Sequence, residues 1–180
     1  MTIGRRNLMK AGMAAAWLPL FPHPAYAGDW GAIEAEAKGQ TVYFNAWAGS
    51  ETINAYIAWV AEQVKARYGV ALEHVKISDT AEVVRRVRNE VKAGTAKGSA
   101  DLVWINGENV RAMKEDRLLF GPFAEDLPNF KYVDIEGKPT TLFDFAESTD
   151  GLESPWGMAQ LTFFGDGAKI SDPPKSMEGL

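Results

Sequence analysis

Eight residues of this sequence carry side chains suited to gripping a small solute, and most of them fall where a strand gives way to a helix. Trp47, Ser50 and Glu51 follow one β-rich run, Asp79 follows a second, and Asn106 and Glu108 follow a third. Trp156 and Gln160 lie in a later strand-like stretch. An indole in a loop stacks on flat or cationic groups, and carboxylates pair with positive charge. Trp47 and Trp156 are therefore read as stacking residues. Ser50, Asn106 and Gln160 are read as hydrogen-bonding residues, and Glu51, Asp79 and Glu108 as partners for a cation. Plainer roles exist beside these. Asp79 is a natural helix N-cap, Asn106-Gly107 makes a turn, and Trp104, inside the third strand, is assigned to the core. Backbone N–H groups at the helix start near Ser50 favour anions instead. The residues alone leave the sign of the ligand's charge open.

Catalytic chemistry has little to work with. Beyond residue 27 there is one histidine, His74, in the middle of a strand, where it reads as a packed or surface residue rather than a base. The chain has no cysteine, so a zinc site of the usual nitrogen and sulfur type is not expected. No glycine-rich loop has the spacing of a nucleotide site. Gly49-Ser50-Glu51 lacks the glycine two residues before the serine that a nucleophile elbow needs. The many carboxylates fall mainly on helix faces, where solvation explains them. The expectation is a binding protein and not an enzyme, with no catalytic residue, no metal and no cofactor.

The elements that must position these residues follow from caps and periodicity. Asp29 opens a helix with Trp30, Ile33 and Ala37 on one face. Thr41 to Trp47 is a strand, and Ala48-Gly49-Ser50 a tight turn. A helix with Ile53, Ile57, Val60, Val64 and Tyr68 in one stripe stops at Gly69. Val70 to Ile77 is a second strand, and Asp79-Thr80-Ala81-Glu82 reads as a capping box for a helix with the stripe Val83, Val87 and Val91. Ser99 to Ile105 is a third strand, and a fourth helix carries Val110 and Met113. This alternation predicts an α/β fold with a parallel sheet covered on both faces. Ligands of such sheets sit at the carboxyl ends of the strands. From 120 to 151 the periodicity lapses into an irregular connection with one short hairpin, and 155–164 is again strand-like.

Residues 1–27 have a basic start (Arg5, Arg6, Lys10), a short apolar run from Met13 to Phe21 and a small-x-small site at Ala25-Tyr26-Ala27. That is the pattern of a secretory signal peptide, with a run too short to span a bilayer. Arg5-Arg6-Asn7-Leu8-Met9-Lys10 also resembles a twin-arginine signal. The whole chain carries 19 basic and 24 acidic residues, and without the three basic residues of the signal the net charge is −8. An acidic exported domain is a poor binder of nucleic acid or of an anionic membrane surface. Without disulfides, its stability must come from a buried core.

The segments TVYFNAWAGSETINAYIAWV, SADLVWINGENV, LLFGPFAEDLPN, DGLESPWGMAQLTFF and PPKSMEGL, in this order behind a signal peptide, resemble the extracellular solute-binding proteins of ABC transporters. The similar subgroup is that of uptake proteins related to the thiamine, polyamine and iron binders. The resemblance implies a type II periplasmic binding protein fold with two α/β lobes. Residues 28–162 would form most of the first lobe, 163–180 would begin the second, and the stretch from Trp156 to Phe164 would be the first hinge crossover. The chain would then stop just inside its second lobe, with Ser176 capping that lobe's first helix. In place of the bulkier residues usual after this crossover, it has Gly165 and Gly167, which implies a looser hinge. Implied partners are a small polar or charged organic solute and an inner-membrane ABC permease, in the periplasm, with no nucleic acid, no membrane insertion after signal cleavage and a monomer at full length. The alternative is an exported ligand-binding sensor module without a transport role.

Overall fold

The computed structural model describes residues 29–157, 164–170 and 172–179. The expected signal peptide at 1–27 and Gln160 lie outside the described residues.

Helix α1, Trp30–Ala37, begins where the Asp29 side chain accepts from the Ala32 N–H. Strand β1, Thr41–Trp47, follows, and then helix α2, Glu51–Tyr68. Ser50 caps α2 by accepting from the Ile53 N–H, and Gly69 ends it in the left-handed conformation at φ 71°. Strand β2, Ala71–Ile77, leads to helix α3, Thr80–Lys92. Strand β3 is Leu102–Val103, and helix α4 is Glu108–Glu115. Strands β4, Phe143–Asp144, and β5, Glu147–Ser148, form the hairpin expected in the irregular region. Short 3-10 turns fill much of the rest, including Met177–Gly179 after Ser176.

β1 lies at the centre of a three-stranded sheet in the order β2-β1-β3, and both pairings are parallel. Thr41 through Trp47 pair with Ala71 through Ile77, residue by residue. The mixed α/β character and the parallel sheet thus agree with the sequence pattern. Side chains alternate across a strand, so Phe44 and Ala46 join Ile57 of α2 in one buried cluster. Asn45 points the other way, is fully buried and accepts from the Arg86 guanidinium of α3. Val83, Val84, Val110 and Met113 complete the core on that side. Among the described residues no helix is long and apolar enough to cross a membrane.

Three local expectations are corrected. The third strand spans two residues rather than Ser99 to Ile105, because a side chain takes over half of the pairing at its start: the Asp101 N–H donates to the Tyr43 carbonyl at 3.2 Å, but the Tyr43 N–H is accepted by the Asp101 carboxylate at 2.8 Å. In α3 the buried pair is Val83 and Val84, while Val91 is 59% exposed. The capping box is half formed: Asp79 accepts from the Ala81 N–H, but Glu82 accepts from the Ser78 hydroxyl. At the strand expected over 155–164, the flanking residues 155–157 and 164 are irregular, and 158–163 lie outside the described residues.

Candidate functional site

The three parallel strands end on the same side of the sheet, so the loops into α2, α3 and α4 share one edge. Ser50, Glu51, Asp79, Asn106 and Glu108 all sit in these loops or in the first turn of the helix that follows. Two hydrogen bonds fasten the loops: Asn54 Nδ2 donates to the Ala48 carbonyl at 3.0 Å, and Thr80 Oγ1 donates to the Trp104 carbonyl at 3.1 Å.

Five aromatic rings run together beside this edge. Trp47, at the end of β1, meets Trp104 edge-on with centroids 6.4 Å apart. Trp104 meets Trp156 at 5.8 Å, and Trp156 meets Tyr56 at 5.9 Å. Tyr56 stacks on Trp59 at 5.8 Å along α2. Phe44 of the core lies 6.1 Å beneath Trp156 and anchors that ring to the sheet. Trp47, Tyr56, Trp59 and Trp156 are each between 42% and 52% exposed, so the group presents a half-open aromatic surface. The Trp47 indole lies close against Gly49, where a Cβ would stand 2.0 Å from its Cζ2. Glycine at this position makes room for the indole.

The electrostatics of the edge follow from how each helix start is capped. A helix N-terminus carries partial positive charge and attracts anions. Here each one is already supplied with carboxylates. Ser50 and Glu51 begin α2, and Asp79 and Glu82 begin α3. At α4 the carboxylate of Asp144, reaching over from β4, accepts from the Gly107 N–H, and Glu108 follows in the first turn. The loops themselves, residues 47–51, 78–80 and 104–109, contain no lysine or arginine. An incoming anion would meet like charge at each helix start, whereas a cation would meet carboxylates and ring faces.

Of the residues singled out from sequence, Trp47 and Trp156 are brought together through Trp104. The five polar ones share the strand-end edge. Trp104 was assigned to the core; it is half-buried against the Phe44 cluster and also links the two exposed indoles. Tyr56, Trp59 and Asp144 escaped sequence reasoning. The Tyr56-x-x-Trp59 spacing, which puts two rings on one helix face, was the available signal for the first two. His74 is packed, with Nε2 3.1 Å from the Ala46 carbonyl and its ring 6.4 Å from Phe44. Among the described residues no group of three or more His, Asp or Glu side chains is placed to hold a metal ion.

No protein-family model and no solved structure matches the chain. A curated protein of Escherichia coli (strain K12), Protein YnjB, is 44% identical over 170 residues, covering 94% of this chain and 43% of its own length. The chain therefore spans less than half the length of that relative.

Proposed function

We propose that this chain belongs to an exported solute-binding protein of the ABC importer type, and that it takes a small organic cation at the carboxyl edge of its sheet. The observation that carries the cation reading is the chain of Trp47, Trp104 and Trp156 rings beside helix starts that each hold an acidic residue in the first turn, two of them also capped by a carboxylate. Ring faces attract cations with about 0.5–1 kcal/mol per contact when exposed and about 2 kcal/mol or more once water is excluded. Trp47 and Trp156 stack on the solute, Ser50 and Asn106 hydrogen-bond to it, and Glu51, Asp79 and Glu108 balance its charge. The signal-like residues 1–27, the order of the matching segments and the parallel α/β arrangement support the transport role. In a two-lobed binding protein, the solute would be closed in by a second lobe and handed to a membrane permease, a shift between open and closed populations.

Titrating organic cations while following tryptophan fluorescence tests this, with Trp47→Ala and Trp156→Ala measured alongside. Each substitution is expected to weaken binding about tenfold, which corresponds to about 1.4 kcal/mol. Unchanged affinity in both variants would remove the stacking role.

A further inference from the structure

Lys114 and Glu153 are buried or partly buried titratable groups that the proposed site does not use. The Lys114 ammonium, on a side chain 14% exposed, meets Glu147 Oε1 at 3.1 Å, Asp150 Oδ2 at 2.8 Å and the Ser148 carbonyl at 2.5 Å. An ammonium has three protons to donate, so these acceptors use its full capacity. Glu153 is partly buried, its Oε2 is shut off from solvent, and among the described residues that oxygen has no hydrogen-bond partner. The charged groups facing it are Asp144 of β4 and Lys114 of α4. Asp144 repels a second carboxylate, and Lys114 has its protons committed elsewhere. An ionised carboxyl in this place is costly, and a proton removes the cost.

The place of Glu153 in the chain gives this consequence. The Gly151 carbonyl is fixed by the N–H groups of Phe123 and Ala124, at 2.8 and 3.1 Å. Trp156 is fixed at the other end by Phe44, Tyr56 and Trp104. Between these anchors, Glu153 is the one titratable residue.

We propose that Glu153 is a positioning residue that acts as a proton-operated latch: protonated, it lets the segment seat Trp156 in the aromatic group, and ionised, it draws that segment toward water. Burial, and secondarily the Asp144 charge, push its carboxyl up to about 7, with partial relief from Lys114, so the latch turns over near neutrality. The ring moves whether or not a solute is bound.

The test follows acrylamide quenching of the full chain without solute from about pH 5.5 to about pH 8.5, with Trp156→Phe subtracted to isolate one indole. Quenching of Trp156 is expected to rise with pH, with a midpoint near 7, and to stay flat in Glu153→Gln. Asp144→Asn is expected to lower the midpoint by removing a repelling charge, which keeps the idea testable if Glu153→Gln fails to fold. A flat profile in the parent chain overturns the proposal. So does a transition that persists in Glu153→Gln, which would hand the effect to another group, or a midpoint that Asp144→Asn leaves in place. Since no solute is present, failure here is distinct from failure of the cation-binding reading.

Discussion

Asp144 and Gly107 meet across a long stretch of sequence: the β4 carboxylate accepts the N–H that opens α4. The hairpin thereby fills the anion position of the third helix start at the sheet edge. Removing this contact with Asp144→Ala is expected to cost roughly 1–2 kcal/mol of stability in urea unfolding. Asp144→Asn, which keeps an acceptor, should recover most of that. Equal stability of parent and Ala variant would mean the contact contributes nothing.

The core prediction rests on Ile57, 1% exposed between α2 and the Phe44–Ala46 face of β1. Ile57→Ala leaves a cavity there and is expected to destabilise by about 2–5 kcal/mol. A change below about 1 kcal/mol would show that the α2 face can collapse around the missing methyl groups.

At Gly49, an added methyl group would collide with the Trp47 indole and push it off the turn. The indole is 42% exposed and can swing outward, so Gly49→Ala is expected to leave unfolding nearly unchanged while weakening solute binding about fivefold, roughly the worth of one cation–ring contact. Loss of stability with intact binding would place the constraint in the turn and not in the ring.

The pH dependence of stability has a definite sign. The Glu153 carboxyl titrates near 7 in the folded chain against an ordinary 4.5. The folded state therefore holds the proton more tightly than the unfolded one. Its stabilisation is fully present below about pH 4.5 and is lost as pH rises through about 7. Between mildly acidic and mildly alkaline buffer, the parent chain should lose roughly 1–3 kcal/mol relative to Glu153→Gln. Parallel stability curves for the two proteins would contradict this. Asp150 works in the opposite direction: its hydrogen bond from Lys114 holds its carboxyl below the usual range, so its small contribution is present above about pH 4 and fades as pH falls.

Much of the helical framework was legible because its signals are local. Asp29, Ser50 and Asp79 announce α1, α2 and α3 through side chains that bond within three residues, and Gly69 announces a stop through its own backbone. The parallel direction of the strands followed from alternation alone, and the order β2-β1-β3 did not. The parts that were not legible depend on distant partners. Trp104 read as core because its neighbours are apolar, and only the arrival of Trp156 makes it a bridge between exposed rings. β3 looked longer because no sequence rule says that the Asp101 side chain will bond the neighbouring strand. Asp144 and Glu153 were silent because their surroundings come from α4 and from the hairpin around them. In the candidate site, then, the residue types and their shared edge were readable, and the carboxylate that Asp144 brings to the start of α4 was not.

The most direct test of the central claim is a fluorescence titration with matched solutes: small organic cations, each compared with its uncharged isostere, such as choline against its all-carbon analogue. At least one cation is expected to bind about tenfold or more tighter than its isostere, and the preference should shrink in Trp47→Ala and Trp156→Ala. Cations that bind no better than their isosteres, or anions that bind better than either, would contradict the account.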